Sequence, residues 1–345
     1  MTAVILDLFA GPGGWSEALR MLDVRDVGVE FDTAACNTRR AAGHTTVQAD
    51  VAALTVARMV GNVRAVIASP PCQTWSQGGK MAGLDDEPLV HQAVHDLAHG
   101  RDSRPQLLAD CKDPRSLLAA EPMRYLEAIR PEWIAMEQVP AVLPLWRHYG
   151  EILTGWGYSS WCGILHAADY GLGQARRRAF LVASRVRQVS PPAPTHAEHP
   201  ADDLFGPALL PWRTMADTLG WGYTRRPAPT VTGGGTETGG AEPFSSTSRK
   251  AMRAAMDNPS HWAWRRPAPT VTGTVGHVGG KQAGGHLNLT VEEAGRLQGF
   301  PDGYPFQGNK GQRSLQVGNA VPPLLAAHVV SAAAGVPFLA ARAAA

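Results

Sequence analysis

Short apolar runs that stop abruptly at glycine, proline or an acid alternate with amphipathic stretches along the first half of the chain. Residues 3–9, AVILDLF, end at Gly11-Pro12-Gly13-Gly14, and a helical pattern follows from Trp15 to about Leu22. That order reads as strand, tight turn, helix. VGVEF ends near Glu30 and Phe31, and a further short strand is expected before Asp50. AVIAS ends at Ser69, just before Pro70-Pro71-Cys72. WIAMEQV runs from Trp133 to Val139, with a helix predicted ahead of it over about 116–129. Strands alternating with helices predict an open, mostly parallel α/β sheet with helices on both faces. Ligands of such sheets sit at the carboxyl ends of strands, where Asp7, Glu30, Cys72 and Glu137 fall. The segment from Gly78 to Asp113 is polar and rich in His, Asp and Gly, and reads as a long, partly mobile loop.

The pattern changes after about Ser190. Proline, glycine, threonine and tryptophan dominate to about Gly285, and helical periodicity fades until Leu289, from where it continues to about Ala334. The expected organisation is a large domain over 1–185, a smaller loop- and strand-rich insertion over 186–286, and a return to the large domain over 287–345. Within the insertion, Arg225 to Gly233 (RRPAPTVTG) recurs identically as Arg265 to Gly273. Each copy is a rigid proline turn with two cations and a short β segment. Arg225, Arg226, Arg265 and Arg266 are candidate contacts to phosphates or bases; the plainer alternative is two equivalent structural turns with solvated arginines.

Composition narrows the classes. A chain of 345 residues with 44% hydrophobic content can bury a sizeable core, and a net charge of +2 leaves any basic surface local. Cys36, Cys72, Cys111 and Cys162 show neither paired nor metal-like spacing, so a reducing cytoplasmic setting is expected, with no disulfide framework and no metal site. No leader pattern and no apolar run of membrane-spanning length is expected.

Glycines at 11–14 let a backbone approach a ligand in front of a helix N-terminus, though the spacing is not the dinucleotide fingerprint G-x-G-x-x-G. Glu30 suits a ribose diol and Asp50 an adenine amino group; each alone is more often a solvated strand end. Cys72 sits in a Pro-Pro-Cys turn that can hold a thiol at the sheet's edge, whereas a lone cysteine is usually inert packing. A thiol and the Glu137 carboxyl together suit attack on a ring whose nitrogen must gain a proton. Gln174, Arg176 and Arg178 alternate, so an extended segment places them on one face, as a clamp or as an exposed cationic strand.

Taken in order, these segments resemble the cytosine-5 DNA methyltransferase family, over nearly the whole chain. Asp7-Leu8-Phe9-Ala10-Gly11-Pro12-Gly13-Gly14 resembles its first motif, Pro70-Pro71-Cys72-Gln73 the nucleophile motif, and Glu137-Gln138-Val139 the Glu-Asn-Val motif. Gln174-Ala175-Arg176-Arg177-Arg178 resembles Gln-x-Arg-x-Arg; Glu293 with Arg296 to Asp302, and Gln316 to Pro322, resemble the last two. The resemblance implies a Rossmann-like catalytic domain and a target-recognition domain in the variable region. There, ten lysines and arginines against seven acids over 186–286 give a modest positive excess.

The resemblance also implies S-adenosylmethionine held by Asp7, Phe9, Ala10, Gly11, Pro12, Gly13, Gly14, Glu30, Phe31, Asp50, Val51, Pro70, Leu118, Asn319 and Val321. Cys72 would attack C6 of a flipped cytosine, Glu137 would engage N3, Arg176 would hold the base carbonyl, and Gln174 and Arg178 would brace the site. Double-stranded DNA is the implied partner of a monomeric cytoplasmic enzyme, with a cognate restriction endonuclease as a further candidate. Two departures stand out: Gln138 replaces the motif's asparagine, and Leu287 or Asn288 stands where the ninth motif usually starts with arginine. Rival readings are an RNA substrate, a catalytically silent binding protein and a nucleotide-dependent oxidoreductase. The intact Cys72, Glu137 and Arg176 set argues against silence, and the large insertion favours duplex DNA.

Overall fold

The computed structural model describes residues 4–71, 73–75, 82–200, 208–220, 267–271, 277–278 and 287–338. Its main sheet starts with β1 (Val4–Leu8), β2 (Val27–Glu30), β3 (Thr45–Gln48), β4 (Val63–Ala68) and β5 (Trp133–Gln138). It is completed by β6 (Ser159–His166) and, beyond a two-residue β7 (Gln174–Ala175), β8 (Arg177–Ser184). The order is β3-β2-β1-β4-β5-β8-β6. The pairs β1·β2, β2·β3, β1·β4 and β4·β5 are parallel, and β5·β8 is antiparallel. The expected α/β class is therefore the one observed. Every residue of β5 is buried, as a central strand covered on both faces requires, while edge strand β3 is mostly exposed and carries two threonines and a glutamine.

Helices α1 (Gly14–Met21) and α2 (Thr33–Ala41) follow the first two strands. The helix expected over 116–129 forms in two pieces, a 3-10 turn over Pro114–Ala119 and α6 (Glu121–Ile129), because Pro122 lies in the first turn of the second. The sheet-centred core joins Leu6, Leu8, Val66, Ile134, Met136, Leu126 and Leu181 to Trp146 and Tyr149 of α7 (Leu143–Gly155).

The segment after the Cys72 turn is not the loop expected. Residues 82–107 form α3 (Ala82–Asp85), α4 (Glu87–Ala98) and α5 (Arg104–Leu107). Val90, Ala93, Val94, Leu97 and Ala98 recur at helical spacing and are buried where α4 packs against α6 and α7. Buried Asp86 closes the base of this insertion, accepting from the Lys112 and Asp113 N–H groups (2.7 and 3.0 Å) and from Ser116 Oγ (2.7 Å).

By compactness the chain divides into two units. One comprises Met1–Leu165, Arg177–Ala193 and Leu325–Ala345, and the other His166–Arg176 and Pro194–Leu324. This differs from the expected 1–185, 186–286 and 287–345: residues 287–324 and the short 166–176 excursion belong with the second unit. That unit has its own core of Met215, Leu219, Ala268, Val271, Leu289, Ala294, Leu297 and Val317. Lys310–Ala334 is long and apolar enough to cross a bilayer by length and composition, where no such stretch was expected; 72% of its apolar window is buried inside the protein. A core helix passes the same test.

Candidate active site

At the carboxyl end of β1 the chain turns sharply. Phe9 (φ 59°), Gly11 (φ 53°) and Gly13 (φ 106°) all take left-handed backbone angles. Glycine adopts these freely, whereas at Phe9 the conformation stores strain on the order of 1 kcal/mol. Glu30, ending the adjacent parallel strand, holds the turn: Oε2 accepts the Gly11 N–H at 2.7 Å, and Oε1 accepts those of Phe31 (2.8 Å) and Asp32 (2.7 Å). A carboxylate has about four acceptor sites, so one remains for an outside donor. A Cβ built at Gly11 would meet nothing within 4 Å, so the backbone faces open space. Beside it the Phe31 ring is 74% exposed.

Asp50 caps the next turn through Ala52 N–H (2.9 Å), and Val51 beyond it is buried. Two side chains of α6 fix that turn: Arg124 donates to the carbonyls of Val51 and Leu54, both at 2.7 Å, and Tyr125 Oη donates to Val51 at 2.6 Å. Leu118 is half-buried on the preceding 3-10 turn. An open glycine turn, a carboxylate with capacity to spare, an exposed aromatic face and a second exposed carboxylate form a donor set that fits a nucleoside carrying a charged tail.

Glu137 lies one residue beyond the β4·β5 register partners Ala68 and Met136, and is buried. Its cross-strand partner is Phe180, so Arg178, two residues earlier, shares its face of the sheet. Arg178 Nε stands 3.1 Å from Glu137 Oε1. Gln138 shows how the longer side chain is used. Its amide Nε2 donates to the Pro70 carbonyl at 2.6 Å, and its Oε1 accepts the Val139 N–H at 2.6 Å. The Glu137 strand end and the Pro70-Pro71 turn are thereby tied together. Cys72 itself lies outside the described residues.

Gln174, Arg176 and Arg178 do not share one face. The strand breaks at Arg176, whose N–H bonds the Gln174 carbonyl at 3.1 Å, so that Gln174 and Arg176 belong to the second unit and Arg178 to the first. Arg176 is 1% exposed and donates to the carbonyls of Val271 (3.2 Å), Gly318 (3.0 Å) and Ala320 (3.1 Å). That geometry corrects the expectation that Arg176 clamps a base carbonyl; the pairing with Glu137 belongs to Arg178. Gln174 donates to the Leu297 carbonyl (3.0 Å) and to Gln298 Oε1 (2.6 Å), while its Oε1 accepts the Val271 N–H (3.0 Å). Gln298 then donates to Val317 and Ala320 (2.9 and 2.7 Å). Three sequence-distant motifs thus meet in one buried hydrogen-bond hub, and Gln298 is its member that sequence reasoning missed.

The second RRPAPTVTG copy enters the same hub. Its Ala268–Pro269 pairs in parallel with β7, and Thr270 Oγ1 donates to the Ala175 carbonyl at 3.0 Å. Ala268–Pro269 is therefore a structural strand, anchored further by Thr270 and Val271; Arg225, Arg226, Arg265 and Arg266 lie outside the described residues. Asn319 is exposed and Val321 buried at the end of the second unit's last motif. Replacing Arg176 with Met leaves the buried Val271 and Gly318 carbonyls without the donor shown here, at about 1–3 kcal/mol each, and the Ala320 carbonyl with Gln298 alone. We expect a melting temperature lower by several degrees and faster proteolysis within residues 194–324; unchanged stability would restore a purely substrate-facing role.

The family model for the C-5 cytosine-specific DNA methylase matches residues 3–93 and 108–334. The Type II methyltransferase M1.HphI of Haemophilus parahaemolyticus is 28% identical, the alignment covering 96% of this chain and 87% of that protein. M.AplI of Arthrospira platensis is likewise 28% identical over 94% of this chain and 83% of its own length. Among solved structures, the S. pombe Dnmt2 methyltransferase superposes with a TM-score of 0.58 at 14% identity, covering 95% of this chain and 97% of that one. The Entamoeba histolytica methyltransferase EhMeth gives 0.59 at 13%, covering 96% and 98%. With the family's motifs assembled as described and its model matching most of the length, the chain belongs to the C-5 cytosine-specific DNA methylases.

Proposed function

We propose that the chain moves a methyl group from S-adenosylmethionine to C5 of a cytosine flipped out of double-stranded DNA, through a covalent bond between Cys72 Sγ and C6. The observation that carries this reading is the junction of Glu137, Arg178 and the Gln138-held Pro70 carbonyl at the carboxyl end of the sheet. Extrusion is needed because C5 and C6 are unreachable in the base stack. The Cys72 thiolate adds to C6 while Glu137, protonated, places its proton on N3. The electron pair so released makes C5 nucleophilic. When bound, S-adenosylmethionine supplies an electrophilic sulfonium methyl, and Asp7, the turn at 9–14, Glu30, Phe31, Asp50 and Val51 would hold it. Removal of the C5 proton by a base, departure of Cys72 and return of the N3 proton to Glu137 complete the cycle. Arg178, already paired with Glu137, takes over the base carbonyl from Arg176 in this account.

Target recognition falls to the second unit, and the protein acts as a cytoplasmic monomer. The Type II names of its relatives support a cognate restriction endonuclease in the same cell. Bisulfite sequencing of DNA from cells expressing the chain should show 5-methylcytosine at one short recognition sequence; folded protein that leaves all cytosines unmodified contradicts the proposal.

The four repeat arginines divide by outcome. If they contact phosphates, alanine at Arg225 with Arg226, or at Arg265 with Arg266, weakens binding to every sequence and flattens its salt dependence. A pair that reads guanine edges instead relaxes preference at one position by about 1–3 kcal/mol. We expect phosphate contact for one pair, because a proline turn presents cations at little entropic cost but positions them coarsely. Titrations at two salt concentrations check it; unchanged affinity, slope and site preference in both double variants would leave only the structural role.

A further inference from the structure

Beneath the glycine turn lies a buried charge cluster in which Asp7 is joined by two groups given no role so far, Arg39 and Asp26. Arg39 of α2 and Asp7 of β1 both have fully buried side chains, and Asp26 is nearly so. The Arg39 guanidinium reaches across the sheet surface. Nη1 donates to the Ala10 carbonyl at 3.3 Å and stands 3.7 Å from Asp7 Oδ2. Nη2 donates to Asp26 Oδ2 at 3.1 Å and to the Thr45 carbonyl at 3.4 Å, and Nε donates to Thr46 Oγ1 at 3.3 Å. Asp26 also accepts from Ser16 Oγ at 2.8 Å, on the helix that leaves the glycine turn. Among the described residues, none donates a hydrogen bond to either oxygen of Asp7.

Gly28 makes the arrangement possible. It is the register partner of Asp7 in β2, and a Cβ built there would stand 1.9 Å from Arg39 Nη2 and 2.2 Å from Cζ. Space for the guanidinium, not backbone freedom, is what requires glycine. Burying two carboxylates around one guanidinium is a poor way to stabilise a fold, since desolvation offsets most of the attraction. The cluster does fix geometry: the Ala10 peptide is gripped on both sides, its N–H by the Val29 carbonyl at 3.0 Å and its carbonyl by Arg39. Burial, and then Asp26, push the Asp7 carboxyl well above its ordinary range, with Arg39 opposing them.

We propose that Arg39 is the positioning residue of the cofactor turn: lying over Gly28, it holds the Ala10 carbonyl and faces Asp7, and so sets the turn's affinity for a nucleoside-sulfonium cofactor. The proposal rests on the cofactor reading given above. Arg39→Lys keeps the cation but cannot span Ala10, Asp26 and Thr46 together. Gly28→Ala keeps every polar group and pushes the guanidinium aside, and serves should the lysine variant fold poorly. Calorimetric titration with S-adenosylhomocysteine, alongside melting temperature, separates the outcomes. Expected is a dissociation constant raised at least about tenfold, close to 1.4 kcal/mol, at a binding stoichiometry near that of the unmodified chain. A merely structural Arg39 would lower melting temperature or the binding-competent fraction and leave the dissociation constant unchanged, which overturns the proposal. If the unmodified chain itself fails to bind S-adenosylhomocysteine, the cofactor reading falls first, and the proposal with it.

Discussion

Methyl transfer by the Cys72→Ala chain is expected to fall by roughly four orders of magnitude or more, the usual consequence of losing a covalent nucleophile. No other described thiol is placed to substitute. Cys162 donates to the Trp146 carbonyl, and burial pushes its pKa up to about 12. Burial first, and then the Glu30 carboxylate, raise Cys36; burial, and then Asp86, raise Cys111. A thiol so shifted carries less thiolate at neutral pH. Cys72 instead follows a turn whose Pro70 carbonyl is gripped by Gln138, next to Glu137. Tritiated methyl incorporation into duplex DNA measures the loss, with DNA and S-adenosylhomocysteine binding retained within a few-fold. Activity above about a hundredth of the parent rate would mean that transfer needs no Cys72 adduct.

Glu137→Gln should slow single-turnover methylation by about a hundredfold or more, the contribution typical of a placed acid or base. The glutamine amide can donate to N3 but delivers no proton, and it replaces the carboxyl whose Oε1 lies 3.1 Å from Arg178 Nε. Its similar shape should leave β5 and its pairing with β8 intact, so DNA affinity changes far less than rate. A near-parental rate would assign the proton at N3 to another group.

What the sequence disclosed depended on how local each signal was. Strands β1, β4 and β5 are buried runs cut off by glycine, proline or an acid, and they formed within a residue or two of their expected bounds. The glycine turn was legible for the same reason, since its left-handed backbone follows from the residue types within it. Helix α4 was missed although its signal was present. Val90, Ala93, Val94, Leu97 and Ala98 keep helical spacing, but His91, Gln92, His95 and Asp96 made the segment look like a loop by composition. There, periodicity outweighed polarity.

Arg176 misled for a different physical reason. Alternating residues share a face only while the strand continues, and the backbone bend at Arg176 separates it from Arg178. Nothing in the residue types announces that bend. The second unit's claim on residues 287–324 likewise depends on Gln174 meeting Leu297 and Gln298, partners more than a hundred positions away. Gly28 is the clearest case of information absent from the sequence. A glycine within a strand has many explanations, and only the placement of Arg39 selects among them.

The central claim is a covalent bond between Cys72 and the target base, and one trapping measurement addresses it most directly. Duplex DNA carrying 5-fluorocytosine at the recognition site cannot lose a C5 proton, so the cycle should stop with enzyme and DNA joined. In the presence of S-adenosylmethionine, the unmodified chain should form a complex that survives denaturation. Peptide mass spectrometry should map the modified nucleotide to Cys72, and the Cys72→Ala chain should form no such complex. A stable adduct mapped to another residue, or full methylation of the normal site with no adduct on the fluorinated one, would contradict the account.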